Sequence, residues 1–220
     1  AGLDDYKSVC DFGADPTGVI DSAPAFAAAV AAASADGTEY LVPRGRYLMH
    51  AGVTVDKPIT FRGVGSSVLN NNAGGSTLYK SASVSTALFT LTGNGAALKN
   101  MVLQGVTGNG GDGVEMIGGR QTLEDLSVYN MGNDGVRIGT DAGVNANCWT
   151  IRNLRSKSNV RHGLYLSDKA APAGADCNGG TLLHADLQSN GSAGCELNNS
   201  QLNTFVGLVS QNNTGRGLSL

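Results

Sequence analysis

The chain has 220 residues, of which 41% are apolar and only 5% aromatic, so it can bury a sizeable core that must be largely aliphatic. A net charge of −3 argues against a nucleic-acid-binding surface, which needs clustered Lys and Arg to displace counterions. No stretch reaches the roughly 20 apolar residues that span a bilayer, so the sequence predicts no membrane insertion.

The first predicted element is an α-helix over residues 22–35. Asp21 and Ser22 supply an N-cap, Pro24 sits in the first turn, and Asp36-Gly37 is a typical helix stop. The apolar face of this helix, at helical spacing, consists of Phe26, Val30 and Ala33. Such a slim helix can cover the open end of a stacked structure.

The segments around this helix carry a family resemblance. Residues 11–22 (DFGADPTGVIDS), 40–47 (YLVPRGRY) and 59–65 (ITFRGVG) resemble the N-terminal signature of the pectate-lyase-like superfamily. That group includes phage tailspikes, polygalacturonase relatives and other glycan-active β-helix proteins. The resemblance covers roughly residues 8–80. It implies a right-handed parallel β-helix, a polysaccharide partner, an extracellular or virion location and, as in tailspikes, a homotrimer.

An independent repeat begins at residue 98. Its first apolar positions, 98, 123, 151, 182 and 205, lie 25, 28, 31 and 23 residues apart, and in the last four units a Gly follows twelve residues later. This period is typical of one turn of a β-solenoid, with two short strands per unit joined by a turn. Leucine-rich repeats fit worse, because Gly, Asn and Ser stand where their helix would be.

We therefore predict an all-β, single-stranded, right-handed parallel β-helix. Residues 1–50 form an N-terminal cap with the helix, and residues 51–220 form the coils. Because Leu220 is the last inward residue of a repeat, we expect a fragment of a longer protein.

Small and polar residues mark the turns of the repeat. Asn recurs four residues before the Gly, where it tolerates unusual backbone angles and can hydrogen-bond the next Asn in a ladder. These residues are Asn109, Asn159, Asn190 and Asn213, with Asn130 displaced by one. Cys195 occupies an inward apolar column and is expected in the core.

Outward residues of the first strand form a candidate catalytic strip. Asp125, Arg155, His184 and Asp186 should cluster, because parallel coils stack about 4.8 Å apart. Hydrolysis would use Asp125 and Asp186 as two carboxyls, at a separation of about 10 Å that barely reaches the inverting range. A lyase would instead need a base near an acidic sugar, and His184 with Arg155 could serve. Plain surface decoration is the alternative.

A second strip lies two residues after each Gly. Its members alternate acid, base, aromatic and acid, a mixture suited to sugars, and are Glu115, Arg137, Tyr165 and Glu196. The alternative is a solvated column with an ion pair between Glu115 and Arg137.

Asp112, Asp134 and His162 each precede the Gly of the repeat. Mutual repulsion on adjacent coils would raise the pKa of one acid and make a catalytic set. Asp-Gly is also a common turn dipeptide, and the turn interpretation is the alternative. The longest excursions, residues 139–147 and 167–180, should project together as a rim that can contact a ligand.

No cofactor or metal is predicted. The cysteines, Cys10, Cys148, Cys177 and Cys195, form no CxxC pair, have no His at zinc-finger spacing, and are expected as reduced thiols. Residues 63–65 (GVG) precede no helix signal, so no nucleotide site is implied.

The functional hypothesis is a tailspike-like protein that binds and degrades a polysaccharide, as a hydrolase or a lyase. The Asn-Thr-Asp and Asp-Asp elements of polygalacturonases have no match in the repeat over residues 98–220, which argues against that hydrolase subtype. The alternative is a non-catalytic glycan-binding adhesin or receptor-binding module. Acidic pairs in a groove would favour the enzyme, and a flat, ion-paired face would favour the binder.

Overall fold

The computed structural model describes residues 7–34, 37–66, 75–139, 145–167, 177–198 and 200–220. Within these ranges the chain forms seventeen β-strands, one α-helix and a short 3-10 helix at Val9–Phe12. The helix is α1 (Ala23–Ala32). The strands are β1 (Lys7–Ser8), β2 (Thr38–Leu41), β3 (Gly45–Met49), β4 (Val53–Val55), β5 (Ile59–Arg62), β6 (Ser76–Lys80), β7 (Phe89–Leu91), β8 (Ala97–Gln104), β9 (Val114–Met116), β10 (Thr122–Tyr129), β11 (Val136–Ile138), β12 (Thr150–Lys157), β13 (Leu164–Ser167), β14 (Thr181–Gln188), β15 (Cys195–Asn198), β16 (Thr204–Gln211) and β17 (Leu218–Ser219).

The strands form two parallel sheets, as in a β-helix. Ten strands make the first sheet, along the path β1-β2-β5-β8-β10-β12-β14-β16, with β3 beside β6 and β6 beside β8. Seven make the second, in the order β17-β15-β13-β11-β9-β7-β4. The first sheet already includes β2 and β3, which lie before residue 51. The predicted all-β parallel β-helix is confirmed, and its right-handed sense stays a prediction.

Residues at equivalent positions of the sequence repeat pair with one another in the parallel sheets. The first apolar residues of the five units are consecutive partners across the first sheet, namely Leu98, Leu123, Ile151, Leu182 and Phe205. In the second sheet Val136, Leu164 and Cys195 stack in one fully buried column. Leu218 continues that column and is 46% exposed, because β17 is the end strand of its sheet. The core position predicted for Cys195 is confirmed.

Helix α1 is shorter than the predicted span of 22–35. It ends at Ala32, and Lys57 Nζ donates to the carbonyls of Val30, Ala31 and Ala33, placing a cation at the negative end of the helix. At the other end Asp21 Oδ1, not Ser22, accepts the N–H of Ala23. The predicted stop at Asp36 lies outside the described residues.

The predicted apolar face of α1 is confirmed. Phe26, Val30 and Ala33 are all buried, and the Phe26 ring packs edge-on against Tyr47. The helix therefore lies on the first coils. Among the described residues, no helix is long and apolar enough to cross a membrane.

The first strand of each repeat is bent in the middle, which the sequence reading missed. In each of the five units the fourth residue of the strand has a left-handed backbone, with φ between 51° and 71°. These residues are Asn100, Asp125, Asn153, His184 and Gly207. Because the bend turns this residue and the one before it outward, both residues are at least partly exposed in every coil.

The asparagine ladder forms where three of the predicted residues stack. Asn159 Nδ2 donates to Asn190 Oδ1 (2.9 Å), and Asn190 Nδ2 donates to Asn213 Oδ1 (2.9 Å). The same oxygens accept the backbone N–H groups of Asn159 and Asn190. Asn109 is not part of this ladder and donates to the carbonyl of Ala82. The ladder prediction is confirmed for Asn159, Asn190 and Asn213.

Replacing Asn190 by Ala should destabilise the fold. It leaves the buried N–H of Asn159 without its acceptor, and each such group costs about 1–3 kcal/mol. Urea unfolding followed by circular dichroism measures the loss. Asn198→Ala, on the outward side of β15, is the matched control and should change the free energy of unfolding by less than about 0.5 kcal/mol. Equal losses in the two variants would contradict the ladder's role.

Candidate functional site

The four predicted catalytic residues line one groove. Asp125, Arg155, His184 and Asp186 surround a cavity of about 570 Å³ on the outer face of the first sheet. Its other lining residues are Gly65, Ser66, Leu126, Ser127, Asn153, Leu154, Ala185, Gly207 and Val209. The floor consists of β10, β12, β14 and β16, which pair in parallel register, so neighbouring coils hold these side chains in place.

Two columns of side chains build the groove. One contains the left-handed residues Asp125, Asn153, His184 and Gly207 of successive coils. The other follows two residues later, where Ser127, Arg155, Asp186 and Val209 are consecutive partners. The bend brings the two columns together as the walls of a concave surface.

The acids of the groove already have partners. Asn153 Nδ2 donates to Asp125 Oδ1 (2.8 Å). Gln188 Nε2 donates to both oxygens of Asp186 (2.6 and 2.8 Å), and Arg155 Nε lies 3.5 Å from Asp186 Oδ2. The Arg155 side chain is 46% exposed, so this ion pair contributes at most about 1 kcal/mol. A ligand with a carboxylate can therefore displace it.

Gly207 makes room for His184. A Cβ built on Gly207 would lie 2.6 Å from His184 Nδ1, too close for two non-bonded atoms, and the φ of Gly207 is +71°. Gly207 was not singled out in the sequence analysis. Its column-mates Asn, Asp, Asn and His are types enriched at left-handed positions, and that shared preference was the available signal.

The Ser127 hydroxyl fixes one side of the groove. Ser127 Oγ donates to the carbonyl of Ser66 (2.6 Å), which ties the segment after β5 to β10. This contact joins residues 61 positions apart in the chain. Sequence reasoning had no signal for it, because the segment after β5 lies outside the repeat.

The predicted substrate-binding strip lies elsewhere, on the second sheet. Glu115, Arg137, Tyr165 and Glu196 are consecutive partners on β9, β11, β13 and β15 and do not line the groove. Tyr165, the aromatic member of the predicted strip, is only 6% exposed. His162 stacks on its ring at 5.3 Å, and the guanidinium carbons of Arg161 and Arg137 lie 5.1 and 5.7 Å from its centroid. These side chains therefore cover the Tyr165 ring, which does not present an open face to a sugar, and a binding role for the strip stays a prediction.

The residues that precede each Gly form a second ladder beside this strip. Asp112 Oδ1 accepts the N–H of Asp134 (2.8 Å), Asp134 Oδ1 accepts the N–H of His162 (3.0 Å), and His162 Nδ1 accepts the N–H of Ala193 (3.2 Å). Each side chain thus bonds the backbone of the next coil. The turn interpretation of Asp112, Asp134 and His162 is supported by these bonds.

Burial perturbs the acids of this second ladder. Desolvation, reinforced by the charge of Asp112, raises the pKa of Asp134 to about 7. Burial and the same neighbouring charge raise the pKa of Glu115, whose Oε2 accepts the Thr90 hydroxyl (3.2 Å). Burial lowers the pKa of His162, while Glu196, 3.6 Å from its Nε2, opposes that shift. Among the described residues, no group of three His, Cys, Asp or Glu side chains is arranged to hold a metal ion.

Comparison with known proteins agrees with this architecture. Residues 6–87 match the family model described as rhamnogalacturonase A/epimerase, pectate lyase-like. No curated protein matches the sequence. The family match and the structural likenesses below support the resemblance to the pectate-lyase-like superfamily.

Three solved structures are similar to the chain. ORF18 of Geobacillus virus E2 has a TM-score of 0.72 at 16% identity, over 93% of this chain and 42% of that one. The catalytic unit of a GH87 α-1,3-glucanase from Streptomyces thermodiastaticus has a TM-score of 0.66 at 17% identity, over 100% and 43%. The tailspike gp49 of Acinetobacter baumannii bacteriophage Fri1, a capsular polysaccharide depolymerase, has a TM-score of 0.63 at 16% identity, over 93% and 42%. At these identities the likeness shows the fold, and the chain spans less than half of each structure.

Gly207→Ala should displace His184. The added Cβ overlaps Nδ1, and a left-handed backbone costs Ala about 1–2 kcal/mol relative to Gly. The imidazole resonances of His184 in ¹H–¹⁵N NMR spectra should shift. The matched control is Gly108→Ala, which has a left-handed backbone (φ +91°) and whose Cβ meets no atom within 4 Å. Unchanged His184 resonances in Gly207→Ala would contradict the proposed packing.

Proposed function

We propose that the groove binds a polysaccharide and that the protein degrades it there. The observation that carries the proposal is that Asp125, Arg155, His184 and Asp186 all line one concave surface on a rigid sheet. Extended grooves with a few charged groups and amides suit the hydroxyls and carboxylates of sugar chains. The glucanase and the capsular polysaccharide depolymerase among the similar structures add support from analogy of fold.

The spacing of the carboxyls favours elimination over hydrolysis. Asp125 and Asp186 lie two coils apart, about 10 Å along the axis, whereas glycosidases need about 5 Å for retention or about 6.5–9.5 Å for inversion. Asp186 is also held by Gln188 and Arg155. Asp125 and Asp186 are therefore poorly placed to act as the acid and the second carboxylate of a glycosidase.

A lyase reaction fits the remaining residues. His184 takes the proton from the ring carbon next to the carboxylate of an acidic sugar. Arg155 binds that carboxylate and offsets the negative charge that develops on it. The electron pair of the broken C–H bond forms a C=C double bond as the glycosidic C–O bond breaks. The leaving oxygen takes a proton from water, and the hydroxide so formed takes the proton held by His184, which returns the imidazole to its neutral form. The products are an unsaturated sugar end and a new chain end.

A non-catalytic glycan binder is the second candidate. It is favoured by the engagement of Asp125 with Asn153 and of Asp186 with Gln188 and Arg155, which leaves both acids as anchored hydrogen-bonding groups. In that case His184 would contact the glycan without removing a proton. Product formation separates the two candidates.

An extracellular or virion location accompanies this proposal, since a polysaccharide of a cell surface or capsule is met there. A parallel homotrimer, as in tailspikes, stays a prediction. Light scattering at micromolar concentration tests it, and a monomer would count against a trimer of this chain.

His184→Gln should abolish cleavage while the chain still binds its glycan. Gln keeps a polar side chain of similar size but cannot act as a base near neutral pH. The assay incubates the protein with capsular, O-antigen and uronate-containing polysaccharides and follows the absorbance of unsaturated sugars together with new reducing ends. We expect a loss of about 100-fold or more in rate, the range for removing a general base.

His50→Gln is the matched control, because His50 is exposed in the turn after β3 and away from the groove. It should cleave like the parent chain. Binding without product from the parent chain would favour the non-catalytic candidate, and neither binding nor product on any polysaccharide would overturn the proposal.

Arg155→Ala should weaken binding of acidic polysaccharides by about 10- to 100-fold, since a charge-assisted hydrogen bond contributes about 1.5–3 kcal/mol. Neutral polysaccharides should be affected much less. Isothermal titration calorimetry measures both, with Arg216→Ala, an exposed arginine of the last turn, as control. If Arg155→Ala weakened the binding of neutral and acidic glycans equally, the proposed role of Arg155 in binding the sugar carboxylate would be contradicted.

A further inference from the structure

The ladder Asp112–Asp134–His162 joins four coils through side-chain to backbone bonds. Its bonds reach from the turn before β9 to Ala193, in the turn before β15. Asp112 is 2% and Asp134 0% exposed. A ladder of this kind fixes the turns only while each side chain can accept the N–H of the next coil.

Asp134 is the unusual member. Its Oδ1 accepts the N–H of His162 and lies 3.5 Å from Arg161 Nε, yet its Oδ2 is buried without a hydrogen-bond partner. A carboxylate in that position has an unsolvated charged oxygen beside the carboxyl of Asp112. A protonated carboxyl avoids this charge and still offers Oδ1 as an acceptor.

Charged and titratable side chains surround the ladder on every strand that packs against it. They are Lys80 of β6, Glu115 of β9, Arg137 of β11, Arg161 of the turn before β13, Tyr165 of β13 and Glu196 of β15. Lys80 Nζ is held by the carbonyls of Thr86 and Gly110 and faces Asp112 and Glu115. The cations stabilise ionised Asp134 in part, and the neighbouring acids oppose ionisation.

We propose that this ladder is a pH-sensitive strap, which holds the turns of adjacent coils tightest while Asp134 is protonated and loosens when Asp134 ionises. Ionisation places two negative carboxyls on adjacent buried turns, and their repulsion acts on the bond between Asp112 Oδ1 and the N–H of Asp134. The strap lies in the turns before strands of the second sheet and does not depend on the function proposed for the groove.

The direction of the pH effect follows from the raised pKa of Asp134. The pKa of Asp134 is about 7 in the folded chain against 3.8 for an unperturbed Asp, so the folded state keeps its proton in a range where the unfolded state has lost it. This contribution to stability is complete below about pH 4 and declines as the pH rises to about 7. His162 acts in the opposite sense, because a protonated Nδ1 cannot accept the N–H of Ala193.

The test compares urea unfolding midpoints of the parent chain and Asp134→Asn from about pH 4 to about pH 9. The advantage of the parent chain over the variant should decline as the pH rises to about 7 and then stay level. Asp134→Asn should still lose stability at acid pH, where His162 becomes protonated and can no longer accept the N–H of Ala193. Asp56→Asn, an exposed acid outside the ladder, should keep the parent's profile. Parallel profiles for the parent and Asp134→Asn would overturn the proposal.

Two measurements on the unmutated chain keep the test decisive should Asp134→Asn fail to fold. The carboxyl ¹³C resonance of Asp134 should titrate near neutral pH, and a midpoint below about pH 5 would overturn the proposal. Hydrogen exchange should show the N–H of Asp134, which bonds Asp112 Oδ1, losing protection severalfold above about pH 7, relative to the N–H of Val136, which bonds the carbonyl of Gly163. A constant ratio across the pH range would show that ionisation leaves the strap intact.

Discussion

The parallel, in-register pairing of successive coils is the constraint on which the rest of the structure depends. Each unit bonds its backbone to the unit before and after it, so residues at equal positions of the repeat become neighbours in space. Inward columns then form the core, and outward columns form surfaces whose composition is set by one residue from each coil. The groove consists of outward columns, and the strap is a buried column of turn residues held in the same register.

The apolar repeat was enough to predict the register, because only one alignment puts Leu123, Leu126 and Val128 over their equivalents in every coil. The bend at the fourth residue of each long strand was not predicted. It is a left-handed backbone at four non-glycine residues and one glycine, and the hydrophobic pattern carries no information about it. The residue types at that column did, since Asn, Asp, His and Gly are the types that tolerate it.

In the candidate site too, the features that follow from the repeat were predicted and the features that come from the turns were not. Stacking placed Asp125, Arg155, His184 and Asp186 in one cluster as predicted, because their spacing within the repeat is regular. The exposure of Tyr165 could not be predicted from the spacing of residues within the repeat. Its ring is covered by His162 and Arg161, which come from a turn, and the path of a turn is not determined by the periodicity of the strands. The bond from Ser127 to Ser66 was hidden for the same reason, since it comes from outside the repeat.

Burial separates the roles of the two polar columns. In the groove the Arg155 side chain is 46% exposed, so a weak ion pair with Asp186 can be exchanged for contacts with a ligand at little cost. Asp134 is fully buried and bonded to the backbone of the next coil, so it cannot reach a ligand, and protonation is the change open to it where it lies. Similar charged residues on one scaffold therefore serve recognition where solvent reaches them and respond to pH where it does not.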